Sequence, residues 1–177
     1  NVYKNVYAFI TPSEFLKKKL ALNGFDEKRI HCIPTFTASK TTIGEPQIGS
    51  YGLYFGRVTE EKGVETVIKA YEKLPEYTVK IMGDDTTDEA KRLKKYVKDH
   101  KMKNVEFLGF KSGEELEDII KGARFTLIPS IWYDNLPNTA LESFQYSKPV
   151  IASNIGSLPE LVIDGENGYL FKPSNVE

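Results

Sequence analysis

The sequence has 177 residues, 40% of them hydrophobic and 28% charged, with a formal net charge of -1. That is room for one domain, or one and a piece of another, around a proper core, but not for a basic surface that would hold a polyanion, so nucleic acid is excluded as the main ligand. A single cysteine, Cys32, excludes an internal disulfide and fits a reducing, cytoplasmic setting, and no apolar run nears the ~20 residues of a membrane span.

A short apolar run predicts a strand over 7–10. Thr11-Pro12-Ser13-Glu14 reads as a capping box with proline at the first helical position, opening a helix to about residue 22 that Asn23-Gly24 stops. A second strand is predicted over 29–33, with Cys32 as a buried thiol. Residues 35–49 are rich in Thr, Ser, Gly and Pro, lack apolar periodicity, and read as a linker. Beyond it strands are predicted over 51–55, 78–82, 104–108, 125–128, 149–153 and 168–171. Between the first two, Val64, Val67, Ile68 and Tyr71 recur at helical spacing. Thr86 with Glu89, and Ser112 with Glu115, read as capping boxes of the next two helices. Asn138 reads as the N-cap of a helix over 138–146, and a short helix is predicted over 158–163. Strands alternating with helices make βαβ units, hence an α/β fold with a doubly wound, Rossmann-like parallel sheet.

In such sheets a ligand lies outside the carboxyl ends of the strands. Five loops follow strands and should converge there: Gly56-Arg57, Gly83-Asp84-Asp85, Gly109-Phe110-Lys111, the turn from Ser130 to Asn138, and Asn154-Ile155-Gly156. Arg57 and Lys62 could clamp a diphosphate, the first by its planar fork and the second as a point charge, or could be a surface pair neutralised by Glu60 and Glu61. Removing either should then barely change the unliganded melting temperature. The helix start after the Asp134-Asn135-Leu136-Pro137 turn offers free N–H groups to a phosphate. Asp134 and Glu142, eight residues apart, would flank such an anion. Glu142 needs partners if its helix is buried, and ribose hydroxyls would serve; the alternative is a carboxylate in water. Trp132 and Tyr133 could wall a sugar or base, or be core. Asp84 and Asp85 read as a solvated turn, with no third ligand for a metal. Neither a phosphate-binding G-x-x-x-x-G-K-[ST] nor a G-x-G-x-x-G occurs, and the two histidines, His31 and His100, give no catalytic triad.

In order, the chain carries Gly56-Arg57 with Lys62-Gly63, Gly83-Asp84, Phe107-Leu108-Gly109-Phe110, Pro129-Ser130 and Asp134-x7-Glu142. Then follow Pro149-Val150-Ile151-Ala152-Ser153, Gly156, Pro159-Glu160-Leu161-Val162 and Gly165-x-x-Gly168. This series resembles the C-terminal, donor-binding domain of the retaining GT-B glycosyltransferases of family four. The resemblance covers 51–171, and 7–34 resembles the last βαβ piece of that family's N-terminal domain. It implies a division into an N-terminal-domain remnant over 1–34, a linker over 35–49 and a nucleotide-sugar-binding domain over 50–177. The chain, which begins at Asn1, is read as a fragment of a longer protein that lacks most of its N-terminal portion.

The resemblance also implies a function: transfer of a hexose from a nucleotide-diphospho-sugar to a glycan or lipid-linked acceptor with retained configuration, as in polysaccharide biosynthesis. Arg57 and Lys62 match the pair that neutralises the diphosphate, and Asp134 matches the acid that reaches the donor sugar. Glu142 matches the acid that holds the ribose. The backbone from Asn135 through Leu136 and Asn138 to Thr139 would hold phosphate, and Phe110 and Lys111 would meet the base. Asp134 departs from the family's usual glutamate, which puts the sugar in question rather than the reaction type. The donor is a substrate, and neither cofactor nor metal is implied. The acceptor would be held by the missing domain, the fragment alone would not transfer sugar, and peripheral membrane association of the full-length protein is left open. A nucleotide-sugar 2-epimerase of the same fold would need acid and base residues that the sequence does not place. A receiver-like signalling module would need its paired acids after the first strand of the sheet, not the second.

Overall fold

The computed structural model describes residues 2–36 and 48–176. Most of the stretch read as a linker, residues 37–47, lies outside the described residues. Two parallel sheets form. The first pairs β1 (Phe9–Thr11) with β2 (Ile30–Cys32), joined through helix α1 (Glu14–Leu22). The second has six parallel strands: β3 (Tyr51–Phe55), β4 (Val79–Met82), β5 (Val105–Gly109), β6 (Ala123–Ile128), β7 (Val150–Ser153) and β8 (Gly168–Phe171). Their spatial order is β5-β4-β3-β6-β7-β8. The chain thus walks outward from β3 to β5, returns to β6 beside β3, and walks outward the other way. That reversal between β3 and β6 is the switch point at which doubly wound sheets open a crevice.

Period-two alternation decides which side chain faces which layer. On β3, Leu53 and Phe55 pack with Met82, Ile120 and Ala123, whereas Tyr54 joins Val64, Ile68, Ile81 and Leu93. The opposing layers are α2 (Val64–Glu72) and α3 (Asp88–Asp99) against α4 (Gly113–Gly122). A third cluster ties β6 and β7 to α5 (Asn138–Gln145) and α6 (Leu158–Leu161) through Ile128, Ala140, Val150 and Leu158. Among the described residues no helix is long and apolar enough to cross a membrane.

Element types follow the apolar periodicity, but four helix starts differ from expectation. Ser13, not Thr11, caps α1: its Oγ accepts from Leu16 N at 3.2 Å. Thr87, not Thr86, caps α3, accepting from Ala90 N at 3.1 Å, and Glu89 turns instead to Arg92. Ser112 precedes α4 without a side-chain cap, and Glu115 pairs with Lys111 at 2.6 Å. Asn138 is the first residue of α5 rather than its cap; Pro137 holds the cap position, and no side chain caps that helix. At α1 and α3 two hydroxyl residues stand near the start and the tertiary path of the incoming loop selects between them; at α4 and α5 that path brings no side chain onto the free N–H groups. Cys32 is half-buried rather than buried, and its thiol is pushed up by burial and by the nearby Glu14 and Glu160 carboxylates.

Candidate active site

At the carboxyl ends of β3 and β4 lies an open cavity of about 550 Å³. Gly56 and Arg57 line it from β3, Gly83 and Asp84 from β4, Phe110 and Lys111 from β5, and Thr139 and Glu142 from α5. Each strand ends there because its apolar run ends, and a glycine or polar turn takes the chain over the sheet edge. Phe55, Met82 and Leu116 supply an apolar floor. Of the residues read as binding candidates, the fold therefore brings Arg57, Phe110, Lys111, Thr139 and Glu142 into one cavity.

Glu142 is half-buried on the inner side of α5, and among the described residues it has no hydrogen-bond or ion-pair partner. Burial alone lifts its carboxyl above the usual carboxylate range. Arg57 is the opposite: its side chain is 73% exposed, with only a 3.9 Å approach to Glu61. Its carbonyl is held by the Tyr54 hydroxyl at 2.5 Å, so the loop is anchored and the guanidinium is free to move. Burial, then the charge of Asp134, pushes the Tyr54 phenol up, which keeps it a neutral donor.

The other candidates gather beside this cavity and do not line it. Lys62 Nζ lies 2.5 Å from Asp134 Oδ1, with side chains 20% and 13% exposed. Ser130 Oγ donates to Asp134 Oδ2 at 2.6 Å, so both carboxylate oxygens are engaged. Lys62 ends a 3-10 turn, Glu60–Lys62, and Gly63 follows at φ 66, where a Cβ would stand 2.0 Å from the Pro129 carbonyl oxygen. Only glycine lets that turn lie against the β6 end and deliver Lys62 to Asp134. Ile131 N donates to Glu61 O at 3.0 Å and ties the same two loops together. Asn135, Leu136 and Asn138 continue the turn from Asp134 into α5, outside the cavity lining.

Two readings need correction, and one alternative is decided. The five loops do not meet in one crevice: three of them and α5 build the cavity, while the Ser130–Asn138 turn and the Asn154–Gly156 loop build the Asp134 neighbourhood. Lys62 does not stand beside Arg57 as a free second cation, because the nearly enclosed Asp134 carboxylate already claims its charge. Of the two readings of Trp132 and Tyr133, wall or core, core is excluded: they are 60% and 54% exposed. With Ile131, Ile155, Glu60 and Glu61 they line a separate groove of about 510 Å³. Ser130 and Ser157, which hold Asp134 by side chain and backbone, were missed as site residues. Ser130 opens the loop two residues past the end of β6, and that position was the available signal; Ser157 offers none in the sequence.

Asp84 accepts from Thr86 N and Oγ1 at 2.9 and 2.7 Å, and Asp85 is ion-paired with Lys94. Among the described residues no group of three or more His, Cys, Asp or Glu is placed to hold a metal ion.

Residues 39–177 match the model of the glycosyl transferases group 1 family. The chain belongs to that family. A glycosyltransferase of Methanocaldococcus jannaschii, itself uncharacterised, is 32% identical over 126 residues, 71% of this chain and 35% of that protein. Glycogen synthase of Mycobacterium tuberculosis is 31% identical over 159 residues, 87% of this chain and 36% of the enzyme. The chain thus spans about a third of the length of these curated relatives. Among solved structures, a glycosyltransferase from Rickettsia africae superposes with a TM-score of 0.86 at 20% identity, over 99% of this chain and 53% of that one. Anabaena HepE, in complex with UDP and glucose, superposes with a TM-score of 0.82 at 21% identity, over 96% of this chain and 50% of HepE. These structures share the fold, that of the GT-B glycosyltransferases.

Proposed function

We propose that this chain is the donor-binding part of a retaining glycosyltransferase that moves a hexose from a nucleotide-diphospho-sugar to a glycan or lipid-linked acceptor. The observation that carries the reading is the cavity in which Glu142, half-buried and without a partner among the described residues, and a loosely held Arg57 line the same space. One end wants hydroxyl donors and the other wants an anion, which is the polarity of a ribose followed by a diphosphate. UDP in HepE, a protein of the same fold, supports a nucleoside diphosphate as ligand.

In this reading Glu142 accepts from the ribose hydroxyls, and Phe110 and Lys111 border the base. The diphosphate lies between Arg57 and the start of α5, where Asn135, Leu136, Asn138 and Thr139 present backbone N–H groups. Arg57 and the helix start stabilise the charge that grows on the leaving phosphate. Lys62 joins them only by leaving Asp134, so donor binding and the freeing of the Asp134 carboxylate for the sugar hydroxyls are coupled. The leaving phosphate takes the acceptor proton, so no side chain of this chain serves as base. Cationic groups rather than a metal carry the charge, since Asp84 and Asp85 are engaged with Thr86 and Lys94. The acceptor, cytoplasmic location and any membrane association belong to the whole protein. Residues 2–36 would then be the end of its N-terminal domain, and the crevice between domains would close on substrate.

Calorimetry with UDP, GDP and their hexose conjugates tests this directly. Binding of at least one nucleoside diphosphate is expected, with Asp134→Asn weakening discrimination for the sugar conjugate more than affinity for the diphosphate. No binding of any of them, or equal effects of Asp134→Asn on both ligand types, would sink the assignment.

A further inference from the structure

The Pro159-Glu160 motif has no role in the site as described, yet its carboxylate makes two of the longest-range polar contacts in the fold. Glu160 Oε2 accepts from Glu14 N at 2.8 Å, and Oε1 accepts from Phe15 N at 2.5 Å. The first four N–H groups of a helix have no partner within it. Here the first bond within the helix runs from Lys17 N to Ser13 O, Ser13 Oγ takes Leu16 N, and Glu160 takes Glu14 N and Phe15 N. A carboxylate at this positive end also gains from the helix dipole. No residue of α1 is itself buried, whereas Thr11 and Ser13 just before it are 0% and 1% exposed. The start of the helix is therefore its most enclosed part.

Three residues before Glu160, Ser157 grips the site. Its Oγ and its N both donate to the Asp134 carbonyl, at 2.9 and 3.3 Å. Gly156, at φ 65, lets the backbone close in, since a Cβ there would lie 3.0 Å from that same oxygen. A second contact runs beside the first: the rings of Phe15 and Tyr133 are 5.1 Å apart, and Lys19 Nζ is 4.7 Å from the Tyr133 ring centre. Tyr133 immediately precedes Asp134. The α1 segment thus touches the Asp134 turn directly at Tyr133 and is joined to it indirectly through Glu160 and Ser157.

We propose that Glu160 is a positioning residue: it clamps α1 to the six-stranded sheet domain and, through Ser157, sets the turn that carries Asp134. The clamp follows from the contacts alone; its effect on the sugar end rests on the proposed role of Asp134. Amide hydrogen exchange on the 177-residue chain reads the clamp without any ligand. In Glu160→Ala the Glu14, Phe15 and Ser157 amides should exchange about tenfold faster or more, while β3 and β6 amides keep their rates. Glu160→Gln, whose Oε1 still accepts one N–H, should recover part of the protection. Unchanged rates at Glu14 and Phe15 overturn the clamp, and an unchanged rate at Ser157 overturns its link to Asp134. Calorimetry with UDP and UDP-glucose then reads the sugar end. Glu160→Ala should narrow the ratio of the two affinities severalfold and leave UDP within about twofold of its original Kd. Equal weakening of both ligands would mark a merely structural residue. If the unaltered chain binds neither ligand, the proposed function falls, and the exchange rates still decide the clamp.

Discussion

Asp134, on the loop from β6 into α5, and Glu142, inside that helix, are two carboxylates in opposite electrostatic circumstances. Asp134 is nearly enclosed and fully satisfied, with Lys62 on one oxygen and Ser130 on the other. Glu142 is half-buried and, among the described residues, has no partner. Taking a charge from water costs free energy that a partner returns only in part. At Asp134 the protein supplies that partner, so a ligand must displace something before it can use the carboxylate. At Glu142 the cost stands until a donor arrives, which makes it the end of the site already prepared for ligand. The same contrast separates the cations: Lys62 is committed, and Arg57 is not.

The largest expected effect comes from breaking the satisfied region. Lys62→Ala leaves Asp134 enclosed without its counter-charge. Removing one partner of a fully buried pair costs ~3–5 kcal/mol, and the residual exposure here lowers that to about 2 kcal/mol. For a chain of this size the melting temperature should fall by about 4–8 °C. This revises the expectation that the unliganded protein would barely notice the loss. Adding Asp134→Asn should restore most of the difference, because the orphaned charge goes with it. A Lys62→Ala melting temperature equal to that of the parent would break the contrast between the two regions.

Arg57→Ala should behave in the reverse way. Its ion pair is long and exposed, so the unliganded melting temperature should stay within about 1–2 °C of the parent. Affinity for a nucleoside diphosphate should drop by about tenfold or more as a charge-assisted contact is lost. Calorimetry and thermal melts on the same sample separate the two readouts. An unchanged affinity removes Arg57 from the diphosphate site.

The smallest effect sharpens the comparison by its sign. Burial raises the Glu142 pKa from 4.5 in the folded state, so the folded chain holds that proton more tightly than the unfolded one. Its contribution to stability is fully present below the unfolded value and is lost as pH rises through the raised one. Glu142→Gln lacks this loss. The variant should melt about 1 °C above the parent at neutral pH, with the gap closing as the buffer is taken below about pH 4. The same substitution should weaken nucleoside diphosphate binding severalfold, since an amide oxygen is a poorer acceptor for ribose hydroxyls than a carboxylate. A variant that lost stability at neutral pH would show that Glu142 has a protein partner after all.

Much of this protein was legible in one dimension. Periods of two and of about 3.6 residues marked the six strands of the main sheet and the helices between them, because burial against a layer imposes those periods locally. The rule that ligands meet the carboxyl ends of parallel strands nominated Arg57, Phe110 and Lys111, the position one turn inside a helix start nominated Glu142, and the family resemblance added Thr139; all five line one cavity. Tertiary structure alone decided which charges are free. Lys62 and Asp134 are 72 residues apart, and Glu160 reaches a helix 146 residues away. No local pattern encodes either contact, since each exists only where separate loops are brought together. Burial was decided the same way: Trp132 and Tyr133 share a hydrophobic composition with core segments and face solvent, while Asp134, a residue of turns, is enclosed. Composition sets what a side chain prefers, and the path of the backbone determines whether it gets it.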